Sequence, residues 1–272
     1  MLKLKLLTGQ GLSWKVRLGQ AIFLASLFLA WHLASALESS PFFPGPRLVL
    51  STLLDGLFHS GWMVPHFLTT LLEVFVGYVW AVILGLSLGY LLGTNSLLFR
   101  AYEGPLLSLY AIPKVVLYPL FLAAFKLGSN AVIAFGAFHG LFPIAIYTWT
   151  AIRSMNPVHL KVARSLGLTS FDILRWVAIP ATLPGIVVGL RLGFNLTLLG
   201  VILGEMFASR SGLGFLLMSF GGAYVPSRIL AVVLCVFFVA LVINGLLLTL
   251  ERRVKSPFAM KGSRDVQGDA YS

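Results

Sequence analysis

Charge is what this chain has least of. Asp, Glu, Lys and Arg make up 11% of its 272 residues, against about 25% in a soluble domain. With 58% hydrophobic residues and a mean hydropathy of +0.92, the composition is that of an integral membrane protein. Cysteine is nearly absent: Cys235 stands alone in an apolar run, which excludes an intrachain disulfide and fits a small core residue better than a reactive thiol. The G-x-x-x-x-G-K-[ST] phosphate loop is missing, so the chain is not expected to hydrolyse ATP in the usual way. H-E-x-x-H is missing too, the five histidines are scattered without metal spacing, and no nucleophile turn is expected. Acids number nine, and only Glu73 and Glu205 fall in apolar segments, from which the sequence assembles no paired-carboxylate site with any specificity. The net charge of +11 has no aromatic-basic stripe beside it that would suggest nucleic acid.

The apolar runs predict six transmembrane helices, near residues 18–37, 67–92, 104–125, 131–152, 183–207 and 228–250. Residues 1–17 are basic and precede the first run as in a signal peptide. That run is long enough to span, however, and no small-residue cleavage site follows it, so it reads as a retained helix. The segment between the first two spans contains an amphipathic stretch near Leu48–Phe58, suited to an interface. Gly77, Ala81, Gly85, Gly89 and Gly93 recur every fourth residue in the second span, and Gly185, Gly189 and Gly193 repeat the spacing in the fifth. Each set makes a smooth stripe that lets a neighbouring backbone approach closely. The third span is interrupted by Pro105, Pro113 and Pro119, which leaves Lys114 near mid-membrane. Two readings of it stand open, a functional cation facing water or protein and a lysine snorkelling along a bent helix. Glu73 is expected to reach water or a cation near the outer end of the second span, Tyr147 and Trp149 to sit at the inner interface, and Ser-Gly-Leu-Gly at 211–214 to form a flexible outer turn.

Lys and Arg gather in the N-terminal tail, at Arg100, in the 153–175 loop and after residue 251. Only Arg47, Lys126, Arg210 and Arg228 fall on the other side. The bias places both termini and the 153–175 loop in the cytoplasm. That loop carries the strongest local punctuation in the chain. Asn156 can cap a short helix starting at Pro157, Gly167 can end it, and Thr169 or Ser170 can cap a second helix running to Pro180. The residues by themselves allow either a docking element or an ordinary amphipathic loop. Glycine-rich spans, a punctuated inner loop and no energy-coupling site suggest a pore driven by another subunit.

At this point the residues resemble a family. The 153–182 loop resembles the cytoplasmic E-A-A loop of binding-protein-dependent ABC importer permeases, with Ala163, Gly167, Val177, Ile179 and Pro180 at matching places and the first acidic position replaced by Lys161. The wider chain is similar to the nitrate/sulfonate/taurine branch. The matching segments are Val74–Tyr78, Ile112-Pro113 with Pro119-Leu120, Phe142–Arg153, Ala163–Leu168, Leu183–Arg191, Glu205 and Ser211–Gly214.

The resemblance implies an all-α type I importer permease of six spans. Its parts would be a cytoplasmic tail (1–17), a first helix and external segment (18–66), a five-helix core (67–250) with a coupling loop (153–182), and a cytoplasmic tail (251–272). It implies a homodimer in the bacterial cytoplasmic membrane, two separate cytoplasmic ATPases that use ATP and Mg, and a periplasmic or lipid-anchored solute-binding protein. No cofactor would be bound by this chain. The ATPase contact would fall on Leu160, Ala163, Arg164, Ser165, Leu166, Gly167, Leu168, Thr169, Phe171 and Pro180. The solute path would draw on Lys114, Arg191, Asn195 and Glu205, and the solute would be small and anionic. A vitamin precursor or aromatic acid is the alternative solute, and a transporter or channel acting without partners the alternative class.

Overall fold

The computed structural model describes residues 14–38 and 42–255, and these are helical throughout apart from short connections. Eleven α-helices are distinguished among them: α1 (Trp14–Glu38), α2 (Pro46–Leu54), α3 (Val64–Thr94), α4 (Ser96–Ala111), α5 (Tyr118–Phe125), α6 (Ser129–Arg153), α7 (Pro157–Ser165), α8 (Ser170–Ile173), α9 (Ile179–Ala208), α10 (Leu213–Gly222) and α11 (Pro226–Lys255). Five helical stretches are long and apolar enough to cross a membrane, and α4 with the helical segment 114–125 makes a sixth, bent by 95°. The tails beyond 14–255 lie outside the described residues.

α6 is the centre of the molecule, with α3 packed along one side and α9 along the other. Lipid tails are as apolar as leucine, so helices in a bilayer associate through close packing rather than the hydrophobic effect. The predicted glycine stripes supply that packing. A Cβ on Gly89 would fall 2.5 Å from the Thr148 Cβ and 2.7 Å from the Ala145 carbonyl oxygen of α6, and one on Gly189 would fall 2.7 Å from the Tyr147 Cβ. Residues 85–89 also spell Gly-Leu-Ser-Leu-Gly, the spacing of a nucleophile elbow. They lie in the uninterrupted interior of α3, where both glycines serve the α6 contact.

The third span departs most from expectation. Residues 96–103, expected as an inner loop, are already helical. The Asn95 side chain accepts from the Leu97 and Leu98 amides at 3.0 and 3.1 Å and starts α4 there. The helix then stops at Ile112, which is extended (φ −64°, ψ 139°). A residue before proline is pushed out of the α region, and Pro113 follows. A single 3₁₀ turn (Lys114–Leu117) leads into α5, with Pro119 in its first turn, where a missing N–H does no harm.

Pro180 does not close a short helix either. The helix continues from Phe171 to Ala208, 38 residues in all, through a π-helical turn at Leu174–Ala178. The wide turn sits immediately before Pro180, where the i→i−4 ladder lacks a donor. Trp149 is buried against α3 and α4, with its ring edge-on to Phe99 at 6.3 Å, rather than placed at an interface. The amphipathic stretch is present as α2, which packs on α11 and buries Val49 and Leu53, and a π turn (Asp55–His59), whose Gly56 lies against the Trp62 ring. α1 stands apart, touching α2 and held there by the Trp31 indole donating to the Pro44 carbonyl at 3.2 Å.

Candidate functional site

Three places in the fold concentrate polar chemistry, and the first is the 153–180 loop. Asn156 caps α7, its side chain accepting from the Val158 amide at 2.9 Å, with Pro157 as the first helical residue. α7 ends in a Schellman turn. Leu168 donates to the Ala163 carbonyl (3.2 Å) and Gly167 to that of Arg164 (3.0 Å), while Gly167 takes φ +73°. Thr169 and Asp172 then cap α8 reciprocally, each side chain accepting from the other residue's amide. Every turn of this loop is therefore specified locally. What it presents is unusual for an exposed segment: Leu166 and Phe171 are 73% and 67% exposed, with Val158, Val162 and Trp176 beside them. Lys161, Arg164 and Arg175 are exposed on the same element, as are Ser165 and Thr169. Ala163 faces inward and is buried, Leu160 lies in the middle of α7, and Pro180 opens α9. Among the described residues α7 mainly contacts α8 and the π turn that follows. It is a stiff apolar knob with a basic rim.

The second place is the bend of the third span. Lys114, the first residue of the 3₁₀ turn, is half-buried. Its ammonium donates to the Tyr110 carbonyl at 2.9 Å and lies 4.6 Å from the Tyr110 ring centre and 5.4 Å from that of Phe142. Aromatic faces attract a cation that has lost part of its water. The bend thus holds a positive charge inside the span with no carboxylate partner among the described residues.

The third place is the junction of α3, α9 and α10, and sequence reasoning found only part of it. Glu205 is fully buried, and so is Glu73 beside it; Thr70 is buried too. One Glu205 oxygen accepts from the Thr70 hydroxyl at 2.7 Å, the other from the Gly214 amide at 2.7 Å. Thr70 Oγ1 also accepts from the Leu213 amide (2.8 Å), and His66 Nδ1 from the Gly212 amide (3.1 Å). Three side chains thereby satisfy three amides at the start of α10 that would otherwise be orphaned. The expected flexible turn at 211–214 is in fact a buried, hydrogen-bonded one. Gly212 is at φ +103°, and a Cβ there or on Gly214 would strike the Glu205 side chain. Glu73 does not reach water: it is 0% exposed, and neither of its oxygens makes a hydrogen bond of ordinary length and angle. Thr70 and His66 carried no sequence signal of their own; the glycine spacing at 212 and 214 was the only pointer. Alongside lies a polar cleft of about 560 Å³ lined by Gly128, Ser129, Ser209, Arg210 and Ser211.

The candidate path residues are therefore not brought together. Arg191 pairs with Glu251 at 2.8 Å, tying α9 to α11, and Asn195 is half-buried on α9 one turn away. Lys114 is at the bend and Glu205 at the far end of α9. Among the described residues no three of His, Cys, Asp and Glu gather as metal ligands would.

The model of a family described as binding-protein-dependent transport system inner membrane component matches residues 42–256. The nitrate import permease protein NrtB of Leptolyngbya laminosa is 31% identical over 185 residues, which cover 68% of this chain and 66% of that protein, just under two thirds of its length. The taurine transport system permease protein TauC of Escherichia coli is 27% identical over 238 residues (85% and 86%). A putative aliphatic sulfonates transport permease protein, SsuC of Bacillus subtilis, is 26% identical over 235 residues (85% and 84%). Among solved structures, a chain of the MetNI methionine ABC transporter in inward-facing conformations superimposes with a TM-score of 0.63 at 21% identity, covering 71% of this chain and 95% of that one. The architecture is that of a type I ABC importer permease.

Proposed function

The chain belongs to the binding-protein-dependent transport system inner membrane components, and from that premise we propose that it is the pore subunit of an ATP-driven importer for a small anionic solute. ATP and Mg are used by a pair of separate cytoplasmic ATPases, and this chain binds neither. A solute-binding protein delivers cargo to the outer mouth, and two copies of the chain form the pore, with both termini in the cytoplasm. The observation that carries this reading is the 153–180 loop: apolar side chains held out on a locally specified frame, with basic residues around them. Exposed leucine and phenylalanine on a stiff knob are the features of a helix that seats in a partner's groove. The relatives named for nitrate, taurine and aliphatic sulfonates support an oxyanion-bearing cargo, and Lys114 supplies a cation inside a span where an anion would need one.

Affinity purification from the native membrane tests the assignment. A P-loop ATPase is expected to co-purify, and a transporter that moves solute in liposomes without ATP or partners would refute it. In the reconstituted complex Gly167→Asp is expected to leave the protein in the membrane and abolish transport-coupled ATP hydrolysis. Unchanged coupling would remove the loop from the contact. Ligand screening of the co-purified binding protein names the solute.

A further inference from the structure

The loop and the buried junction at Glu205 are the two ends of one helix. From Phe171, on the exposed knob, the chain runs as continuous helix to Ala208, a rise of about 57 Å. Glu205 lies within its last turn. At that end it holds α10 through the Gly214 amide and α3 through the Thr70 hydroxyl, while Thr70 and His66 hold the Leu213 and Gly212 amides. We infer that Glu205, Thr70 and the Gly212-Leu213-Gly214 turn form a latch between α3, α9 and α10, which the α9 rod unmakes when the ATPases move the knob. Glu205 is its positioning residue. This rests on the importer reading above, which supplies the force on the knob.

Three independent features of the junction fit a latch better than passive packing. First, the contact is polar and buried, so it is made or broken at defined geometry rather than sliding as apolar packing can. Second, Gly212 and Gly214 both leave the space that the Glu205 carboxylate occupies, so backbone and side chain are shaped to each other. Third, a second carboxyl, Glu73, is fully buried against Glu205 and beside the Ser129 hydroxyl. Ionised together, two carboxylates in one buried space repel each other, so the closed arrangement holds while the pair shares a proton and is not a deep trap. A helix of ten residues such as α10 cannot span the membrane. Joining α9 to α11, it closes one end of the pair. The charge pattern puts that end outside, where the polar cleft beside Ser129 and Arg210 opens.

Hydrogen exchange on the complete complex in nanodiscs, read by mass spectrometry on peptides covering 205–216, tests the latch. Protection of the 212–214 amides is expected in the nucleotide-free complex and a several-fold faster exchange after trapping with ATP and vanadate. Equal exchange in a complex shown to be trapped would overturn the latch. Glu205→Ala is expected to raise ATP hydrolysis without binding protein several-fold, with Glu205→Gln, which keeps one acceptor, falling between it and the native chain. A native basal rate in Glu205→Ala would also overturn the latch. If Glu205→Ala does not accumulate, the exchange experiment on the native complex decides. Absence of any ATPase from the purified complex would take down the importer reading and the latch with it, whereas a complex with unchanged exchange removes the latch alone.

Discussion

Glu73 is the residue whose surroundings explain it least as a structural part. Fully buried side-chain oxygens normally find a donor, and a buried polar group left without one costs about 1–3 kcal/mol. Neither oxygen of Glu73 has a donor at ordinary length and angle, and its neighbours are the Ser129 hydroxyl and the Glu205 carboxyl. An amide at this position would keep the shape and add an N–H aimed into the space shared with Glu205. Glu73→Gln is therefore expected to stabilise the protein by about 1 kcal/mol, seen as a higher melting temperature in detergent. A lower melting temperature would mean that the carboxyl itself contributes to the fold. Arg191 stands at the opposite pole: its 2.8 Å pair with Glu251 is half-buried and fixes α9 to α11. Both residues looked alike in the sequence, as lone ionisable groups in apolar runs. Only the partner across the fold separates a satisfied charge from an unsatisfied one, and partners 60 or 132 positions away leave no local signal.

At the scale of the helix, legibility followed locality. The α7 cap at Asn156 and its glycine stop at Gly167 are each written within a few residues and were readable before the structure, as was Thr169 as one of two possible caps of α8, which the structure pairs with Asp172. The glycine stripes were readable for the same reason, since period four on a helix fixes one face whatever packs on it. Proline was read correctly at Pro113 and wrongly at Pro180. Pro113 breaks its span almost at a right angle, while Pro180 and Pro184 leave theirs continuous. Pro180 lies in the first turn of α9 behind a π turn that has already opened the ladder, whereas Ile112 before Pro113 has left the α region. The stripes also give a graded test. A methyl on Gly89 would press on the backbone carbonyl of Ala145 as well as on Thr148, whereas Gly104 in α4 has open space around it. Gly89→Val is expected to cost about 1–3 kcal/mol and Gly104→Ala to be neutral or stabilising by up to about 1 kcal/mol, both read from thermal unfolding in detergent. Equal effects at the two sites would show that α3 and α6 do not pack through this stripe.

For the molecule as a whole, function depends on which end of the α9 rod faces the cytoplasm. The knob at one end and the buried latch at the other are useful to an importer only if the knob is inside and the latch outside. The distribution of Lys and Arg argues for that orientation, because positive residues flanking spans are retained on the cytoplasmic side. Since the single cysteine, Cys235, is buried at 4% exposure between apolar neighbours, the native chain is a silent background for thiol labelling. Ser165 on the knob and Ala223 at the end of α10 are both exposed, so each can be replaced by cysteine without opening the core. In intact cells a membrane-impermeant maleimide is expected to label Ala223→Cys and to spare Ser165→Cys, and permeabilising the cells should make both react. The reverse pattern would place the knob outside, beyond reach of any cytoplasmic ATPase. It would turn the charge argument over along with the importer reading, because no arrangement of the same six spans can put the 153–180 loop and the 208–226 segment on one side while α9 runs unbroken between them.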